Sequence, residues 1–297
     1  LPNPSSGMTG TQLSLQLLGI SDPTVGGQVL DAIKNGRYIE ATRLTPAGSR
    51  LMNDEAREAA IERALTSGHY PPFLTQFIPI NVSGGGHTGT FYVAPDMLSV
   101  GVDSDYLRVP LAARTAQRVA SHYNLLLPTK KMVDAILAAP NAVKETLIGQ
   151  DPYDSSRDHT YLYIRTNRII QTQRNAHYDT AGRKAYIGGK KNVIIAPNLS
   201  EGRLREGDRC PTLRVWIYGG LNAGGGVVQD PTNVHAIGYY DYSHGITLIG
   251  NSMLVDGQSR RVSEVLADPT LYSLISDRRI VDSRYSTEGP TELCTSR

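Results

Sequence analysis

The sequence predicts an α+β protein, with helices mainly in the first half and a largely antiparallel sheet in the second half. Helix-capping signals are concentrated before residue 140, and β-branched and aromatic runs dominate after residue 160. Helices and strands that are segregated along a chain favour α+β over a parallel α/β sheet. The 297 residues fit one domain, 1–297, with a division into subdomains near 140–160 as the alternative.

The helices are predicted from capping residues and from the spacing of apolar side chains. Residues 1–12 are polar and Pro-rich, which predicts an extended lead-in. Each helix begins after a residue suited to the N-cap or at an opening proline. The predicted helices cover residues 23–35, 54–66, 110–123 and 129–139, with short helices near 263–267 and 270–276.

Strands are predicted where β-branched and aromatic residues occur between turn-forming residues. In the first half these runs cover 73–82 and 90–102. In the second half they cover 161–165, 168–172, 192–196, 213–218, 234–240 and 246–250. The segment 198–212 is predicted to be a long, flexible loop.

The charge balance and the hydropathy exclude two classes of partner. The chain has 30 Lys and Arg against 28 Asp and Glu, without a clustered basic excess. Nucleic acid is therefore not expected as a partner, since phosphate binding requires such an excess. No run of about 18 apolar residues occurs, so no membrane span is expected.

The two cysteines, Cys210 and Cys294, predict one disulfide and an extracellular, secreted protein. Two free buried thiols are the alternative. Asn81 and Asn198 each begin an Asn-x-Ser triplet, the acceptor pattern for N-glycosylation. The polar start of the chain is interpreted as the end left after processing, or as a chain trimmed for expression. The bridge would hold the C-terminal residues against the segment before Trp216.

The residues that favour catalysis are densest in the segment 235–245, which holds two histidines, an aspartate, three tyrosines and a serine. His244 with Asp241 could act as acid and base, because histidine titrates near neutral pH and a carboxylate tunes it. Ser243 as a nucleophile is disfavoured, because a strand rather than a helix is predicted after it. A transition metal is a further possibility, with His87, His235, Asp241 and His244 as ligands. Otherwise the histidines are hydrogen-bonded turn residues and the tyrosines are packing residues.

Three other motifs carry polar groups. In the segment 186–192, Gly188 and Gly189 allow close approach of the backbone, and Lys190 could meet an anionic group. The segment 84–89 matches G-x-G-x-x-G, but the strand predicted after it argues against a dinucleotide site, although His87 could line a cleft. Asp96, Asp103 and Asp105 could include a pair of glycosidase carboxylates, or lie in a solvated turn.

Several short segments resemble a group of secreted microbial proteins across about residues 75–275. These segments are Leu127-Pro-Thr-Lys-Lys-Met-Val-Asp134, Gly189-Lys-Lys-Asn-Val-Ile194, Arg214-Val-Trp-Ile-Tyr-Gly219, His235 and Asp241-Tyr-Ser-His-Gly-Ile246. The group has no established activity, so the resemblance implies none for this chain. It indicates only that these segments form a shared site.

The sequence therefore favours a secreted hydrolase acting on an extracellular polymer, such as a cell-wall glycan or peptidoglycan, without a cofactor. His244 is expected as the general acid/base, Asp241 as its partner or as the second carboxylate, and His235 as a supporting residue. The residues expected to contact substrate are Lys190, Tyr218, Tyr240 and His87. A non-catalytic protein that binds carbohydrate or a surface and a metal-dependent hydrolase are the alternatives.

Overall fold

The computed structural model describes residues 1–5, 7–147, 159–176, 184–204 and 209–294. Within these ranges the fold is α+β, as predicted, with helices mostly in the first half and antiparallel sheets in the second. The α-helices are α1 (Gly10–Leu18), α2 (Pro23–Lys34), α3 (Tyr38–Leu44), α4 (Asp54–Thr66), α5 (Ala113–His122), α6 (Lys130–Ala138), α7 (His159–Ala176) and α8 (Val262–Ala267). Two 3₁₀ turns lie at Pro72–Thr75 and Tyr272–Leu274.

The predicted caps are present at three of these helices. The Asp22 side chain accepts backbone N–H bonds at the start of α2, and Asn53 and Thr129 do the same for α4 and α6. Each cap satisfies amide groups that have no partner inside the helix. Helix α1 was not predicted and begins inside the supposed extended lead-in, with Thr9 and Gln12 forming a capping box.

The strands form two principal sheets. The strands are β1 (Ile78–Gly84), β2 (His87–Val93), β3 (Ser99–Val102), β4 (Asp105–Arg108), β5 (Leu125–Leu126), β6 (Ala142–Lys144), β7 (Ala185–Ile187), β8 (Lys191–Ile194), β9 (Trp216–Leu221), β10 (Val227–Thr232), β11 (His244–Gly245), β12 (Ile249–Gly250), β13 (Ser252–Val255) and β14 (Gln258–Arg261). An antiparallel sheet has the order β14-β13-β2-β12-β5, with β1 paired to β2. The second sheet has the order β10-β9-β8-β11, in which only the β8–β11 pair is parallel. Two smaller pairs join β3 to β4 and β6 to β7.

The hydrophobic core is continuous between the helical half and the sheets. One cluster of buried apolar side chains extends from Leu13 in α1 to Tyr285 near the C-terminal end, and includes Phe91 of β2 and Val193 of β8. Burial of this apolar surface is the main favourable contribution to folding. Residues 148–158, where a subdomain division was expected, lie outside the described residues.

The two strands predicted over 161–165 and 168–172 are wrong, because this segment forms α7. The β-branched and aromatic residues that suggested strands lie instead at helical spacing. Thr160, Tyr163, Thr166, Ile170 and Arg174 are buried at intervals of three or four residues. Burial of this face therefore outweighs local strand propensity.

Two other predicted strands are reduced to short fragments. Residues 234–240 form only an isolated bridge, between Ala236 and Arg214. Of the predicted run 246–250, only Ile249–Gly250 is a strand (β12), and β11 lies just before the run. β11 forms where it pairs with β8, and β12 forms where it pairs with β2 and β5. These partner strands are distant in sequence, so the local sequence does not reveal the pairing.

Cys210 and Cys294 form a disulfide across 84 residues, which confirms the predicted bridge. Hydrogen bonds support it, since Leu293 N–H donates to the Pro211 carbonyl (2.7 Å) and Leu213 N–H to that of Thr291 (2.8 Å). The bridge therefore holds the C-terminal segment against the residues that lead into β9, as expected.

Within the ranges described, no helix has the length and apolarity needed to cross a membrane.

The two glycosylation triplets begin at exposed asparagines. Asn81 lies on β1, where its side-chain oxygen accepts a hydrogen bond from Thr90, and Asn198 lies in a turn after β8.

Candidate functional site: a buried polar cluster around His244

The segment 235–245 forms a folded loop that ends in β11. His244 N–H donates to the Asp241 carbonyl (3.1 Å), which closes a tight turn before the strand. Lys191 N–H donates to the Ser243 carbonyl (2.7 Å), and His244 pairs with Lys191 in the parallel register of β11 and β8. The sheet thus fixes the backbone of His244 beside the Gly-Gly-Lys segment that the sequence singled out.

The His244 side chain is fully buried, and neither ring nitrogen has a hydrogen-bond partner among the described residues. Its Nε2 atom lies 4.0 Å from Oδ1 of Asp241. Burial lowers the pKa of His244 to about 4, although the Asp241 charge opposes the shift. The imidazole is therefore neutral at neutral pH, and its acceptor nitrogen receives no hydrogen bond from the described residues.

Asp241 is held by its neighbours in the turn. Its Oδ1 atom accepts bonds from the Ser243 hydroxyl (2.5 Å) and the Ser243 amide (2.8 Å), and Oδ2 accepts one from the Tyr239 hydroxyl (3.0 Å). Burial would raise the pKa of Asp241, but His244 and the Ser243 hydrogen bonds lower it to about 2. The Ser243 hydroxyl is thus engaged with a carboxylate rather than with His244.

His235 reaches this group through an aromatic contact. Its ring stacks on Tyr239 at 3.8 Å between centroids, and the Tyr239 ring meets His244 edge-on at 5.7 Å. Tyr239 is 37 % exposed, so its ring extends from buried His244 to the protein surface. Burial and the nearby Asp241 charge raise the pKa of Tyr239 to about 12, and its hydroxyl therefore stays protonated.

Lys190 is fully buried, and its ammonium donates to the Tyr242 carbonyl. Burial lowers the pKa of Lys190 to about 7, and the positive charge of Arg108 acts in the same direction. The glycines before it are required by Glu145. A Cβ at Gly188 would lie 2.5 Å from the Glu145 carbonyl oxygen, and one at Gly189 would lie 2.9 Å from its Oε2 atom.

Glu145, in turn, is a buried carboxyl beside Lys190. Burial raises its pKa to about 8, with Arg108 opposing the shift and Asp96 adding to it. Its Oε1 atom has no hydrogen-bond partner among the described residues. Glu145 and Lys190 are therefore two buried groups that both titrate close to neutral pH, which is typical of functional sites.

A buried ion pair completes the arrangement. Arg108 binds Asp96 through two parallel bonds, Nε to Oδ1 (3.0 Å) and Nη2 to Oδ2 (2.6 Å). Arg174 of α7 lies 3.3 Å from the same carboxylate and packs over the ring of Phe73. We refer to Asp96, Arg108, Glu145, Lys190 and His244 as the buried polar cluster. The sequence marked Asp96 as a candidate carboxylate, but neither Glu145 nor the pairing of Asp96 with Arg108 was predicted, because no local pattern indicates them.

The other acidic residues considered in the sequence do not face Asp96 as a carboxylate pair. Asp103 accepts a bond from the Phe73 amide (3.1 Å), and Asp105 accepts two from the Thr11 amide (3.1 and 3.2 Å). Both therefore serve as caps for neighbouring backbone.

The structure brings His235, Asp241, His244 and Lys190 together, but gives the other predicted contacts different partners. The Tyr218 hydroxyl donates to Asp134 (2.5 Å), and Tyr240 packs beside Arg57 of α4. His87 lies at the β1–β2 turn, where Nδ1 is 2.6 Å from the Asp256 carboxylate.

Potential metal ligands were compared across the described part of the chain. The only group of three or more His, Cys, Asp or Glu donor atoms within 4.8 Å of one another is Cys210, Glu292 and Cys294. Two of these atoms are the disulfide sulfurs, which are not thiolate ligands. The four ligands considered from sequence (His87, His235, Asp241 and His244) do not form such a group.

No family model, curated protein or solved structure matches the chain.

Proposed function

We propose that the chain is a secreted hydrolase that cleaves an extracellular polymer, such as a cell-wall glycan or peptidoglycan. The observation that supports this proposal is the pair formed by His244 and Asp241. A neutral, buried imidazole without a hydrogen bond from the described residues lies 4.0 Å from an ionised carboxylate. This combination suits a general base, since the carboxylate stabilises the imidazolium that forms when the ring takes a proton.

In the proposed reaction, His244 takes a proton from water as the water oxygen attacks the scissile carbon. The same imidazolium then returns that proton to the leaving group, so the enzyme is unchanged at the end. Asp241 stabilises the charged ring between the two steps, and Lys190 contacts the substrate. Because His244 and Lys190 are fully buried, the reaction requires the loop 235–245 to open when the polymer binds. His235 supports the site through its stack on Tyr239. The proposed reaction needs no cofactor.

Secretion is part of the same proposal. The disulfide supports it, because such bonds persist in oxidising compartments. The exposed positions of Asn81 and Asn198 are compatible with N-glycosylation at both triplets.

The experiment compares the wild type with His244→Gln on a panel of insoluble cell-wall glycans and peptidoglycan, with release of soluble reducing ends and amino groups as the measurement. His122→Gln, at an exposed position at the end of α5, is the matched control. We expect His244→Gln to lose at least 100-fold in rate, a typical general-base contribution. His122→Gln should keep the wild-type rate.

Asp241→Asn distinguishes chemistry from folding, because it leaves the shape of the turn nearly unchanged. We expect it to lower the rate while the thermal transition stays within a few degrees. Full turnover by His244→Gln, or no turnover of any polymer by the wild type, would refute the proposal.

A non-catalytic carbohydrate-binding role is the second candidate, because Tyr239 and His235 form a partly exposed aromatic pair. The two roles separate in the His244→Gln variant. Retained binding to the polymer with lost turnover favours the enzyme, whereas binding without turnover in both proteins favours the binding role. Stoichiometric transition metal in the purified protein would instead favour the metal-dependent hydrolase.

A further inference from the structure

A cavity of about 670 Å³ opens beside the ends of β8 and β9, next to the start of α6. Its size is within the range of small-molecule binding sites. None of the residues of the buried polar cluster lines it, nor do His235 and Asp241. We refer to it as the Trp216 cavity, because its lining includes the only tryptophan of the chain.

The backbone of Trp216, at the aromatic wall of the cavity, is held by the sheet and by Tyr285. Trp216 is half-buried and pairs with Ile194 at the end of the β8–β9 ladder. Its backbone N–H donates to the hydroxyl of buried Tyr285 (2.9 Å), and that hydroxyl donates to the Ile194 carbonyl (2.5 Å). The indole offers a flat apolar face to a ring-shaped ligand from a fixed backbone position.

Two arginines of the lining have free donor capacity. Lys130 is paired with Asp134 (2.6 Å), and the Lys131 ammonium donates to the Ser273 carbonyl. One Arg203 N–H group donates to the Asn233 side chain (2.7 Å). The Arg278 guanidinium has no side-chain partner among the described residues. Arg203 and Arg278 belong to separate segments, and both are exposed.

We infer that the Trp216 cavity binds an acidic saccharide, whose ring stacks on the indole and whose anionic group is bound by Arg203 and Arg278. Guanidinium groups suit carboxylate and sulfate because they form paired, charge-assisted hydrogen bonds. The lining also holds the carboxylates of Glu201 and Asp277, which can accept bonds from sugar hydroxyls. These two negative charges disfavour a polyphosphate, so a ligand with one charge per ring fits best.

This inference is independent of the proposed hydrolase activity, because the two sites share no residues. It also bears on Asn198, which belongs to the lining and begins a glycosylation triplet. A glycan on Asn198 would occupy the cavity or its mouth. The binding experiment therefore uses protein from a bacterial host without N-glycosylation.

The test follows the fluorescence of the single tryptophan, with calorimetry as an independent measurement. The probes are a galacturonate oligomer, a sulfated galactose oligomer and a neutral galactose oligomer of the same length. We expect a saturable change in emission with at least one acidic oligomer, and affinity at least tenfold above that for the neutral oligomer. The two acidic probes distinguish carboxylate from sulfate as the anionic group.

Arg203→Gln and Arg278→Gln identify the site. Each should weaken binding of the acidic oligomer about tenfold, the usual effect of losing a charge-assisted hydrogen bond. Arg260→Gln, an exposed arginine on β14, is the matched control and should bind as the wild type does. Absence of binding, equal affinity for the neutral oligomer, or unchanged affinity in both cavity variants would overturn the inference.

Discussion

The buried polar cluster and the Trp216 cavity differ in how far their charged side chains are exposed to water. In the cluster, the ionisable side chains of Arg108, Lys190 and His244 are almost completely removed from water. In the cavity, the charged groups of Arg203 and Arg278 are exposed, and the backbone of Trp216 is fixed by a hydrogen bond to Tyr285. Buried charge is costly unless it is paired, whereas an exposed arginine costs little.

This difference indicates where stability and function are coupled. Substitutions in the cluster should alter folding and chemistry together, because each member compensates a neighbour. Substitutions of the exposed groups in the cavity should alter only binding. The following predictions test this contrast.

The largest effect is expected for Asp96→Asn, which removes the counter-ion of Arg108 and a neighbour of Arg174. A buried guanidinium without its carboxylate should lower the free energy of unfolding by about 3 kcal/mol. Urea denaturation monitored by circular dichroism measures this loss. The exposed Asp282→Asn is the matched control and should change stability by less than about 0.5 kcal/mol. Equal stabilities of the two variants would show that the pair does not compensate buried charge.

The second prediction concerns Glu145, whose pKa rises from 4.5 to about 8 on folding because the group is buried. Between these values the folded protein retains a proton that the unfolded chain has lost. Raising the pH across this window should therefore destabilise the wild type relative to Glu145→Gln. The slope is at most about 1.4 kcal/mol per pH unit.

Unfolding free energies of the wild type and Glu145→Gln, measured from pH 5 to pH 8, give this slope as a difference. Lys190, whose pKa is lowered to about 7, contributes with the opposite sign, but only from pH 7 upward. The clean window is thus below pH 7. A difference that stays constant there would contradict the protonated, buried carboxyl.

The smallest effect is expected for Arg203→Gln and Arg278→Gln. Because both side chains are exposed, the free energy of unfolding should change by less than about 0.5 kcal/mol. Thermal and urea unfolding measure this directly. A loss of more than 1 kcal/mol would show that these arginines are structural, and would remove the contrast between the two regions.

Local signals in the sequence were sufficient for part of the fold. The caps Asp22, Asn53 and Thr129 lie next to the helices that they begin, so those helices were predictable. Helix α7 was not, because its residues favour strands locally and only tertiary burial selects the helix. The disulfide was predictable because the sequence offers two cysteines and thus one pairing.

The candidate site was predictable only where its residues are neighbours in sequence. His235, Asp241 and His244 lie within one short segment, and the glycines before Lys190 marked a close backbone approach. Glu145, whose carbonyl and carboxyl oxygens require those glycines, is more than 40 residues away in sequence. Nor does any periodic pattern predict that Lys190 is fully buried, since lysine is usually exposed.

The disulfide also has a consequence for biosynthesis. Cys210 is synthesised 84 residues before its partner Cys294, so its thiol is unpaired until the C-terminal segment follows. The bridge anchors the loop that carries Arg203 and the segment that follows Arg278, and both contribute to the Trp216 cavity. Before the bridge forms, the wall of that cavity is thus held less firmly than in the folded protein. Until then, the described chain offers Cys210 no internal partner for mispairing, and only a second molecule could capture it.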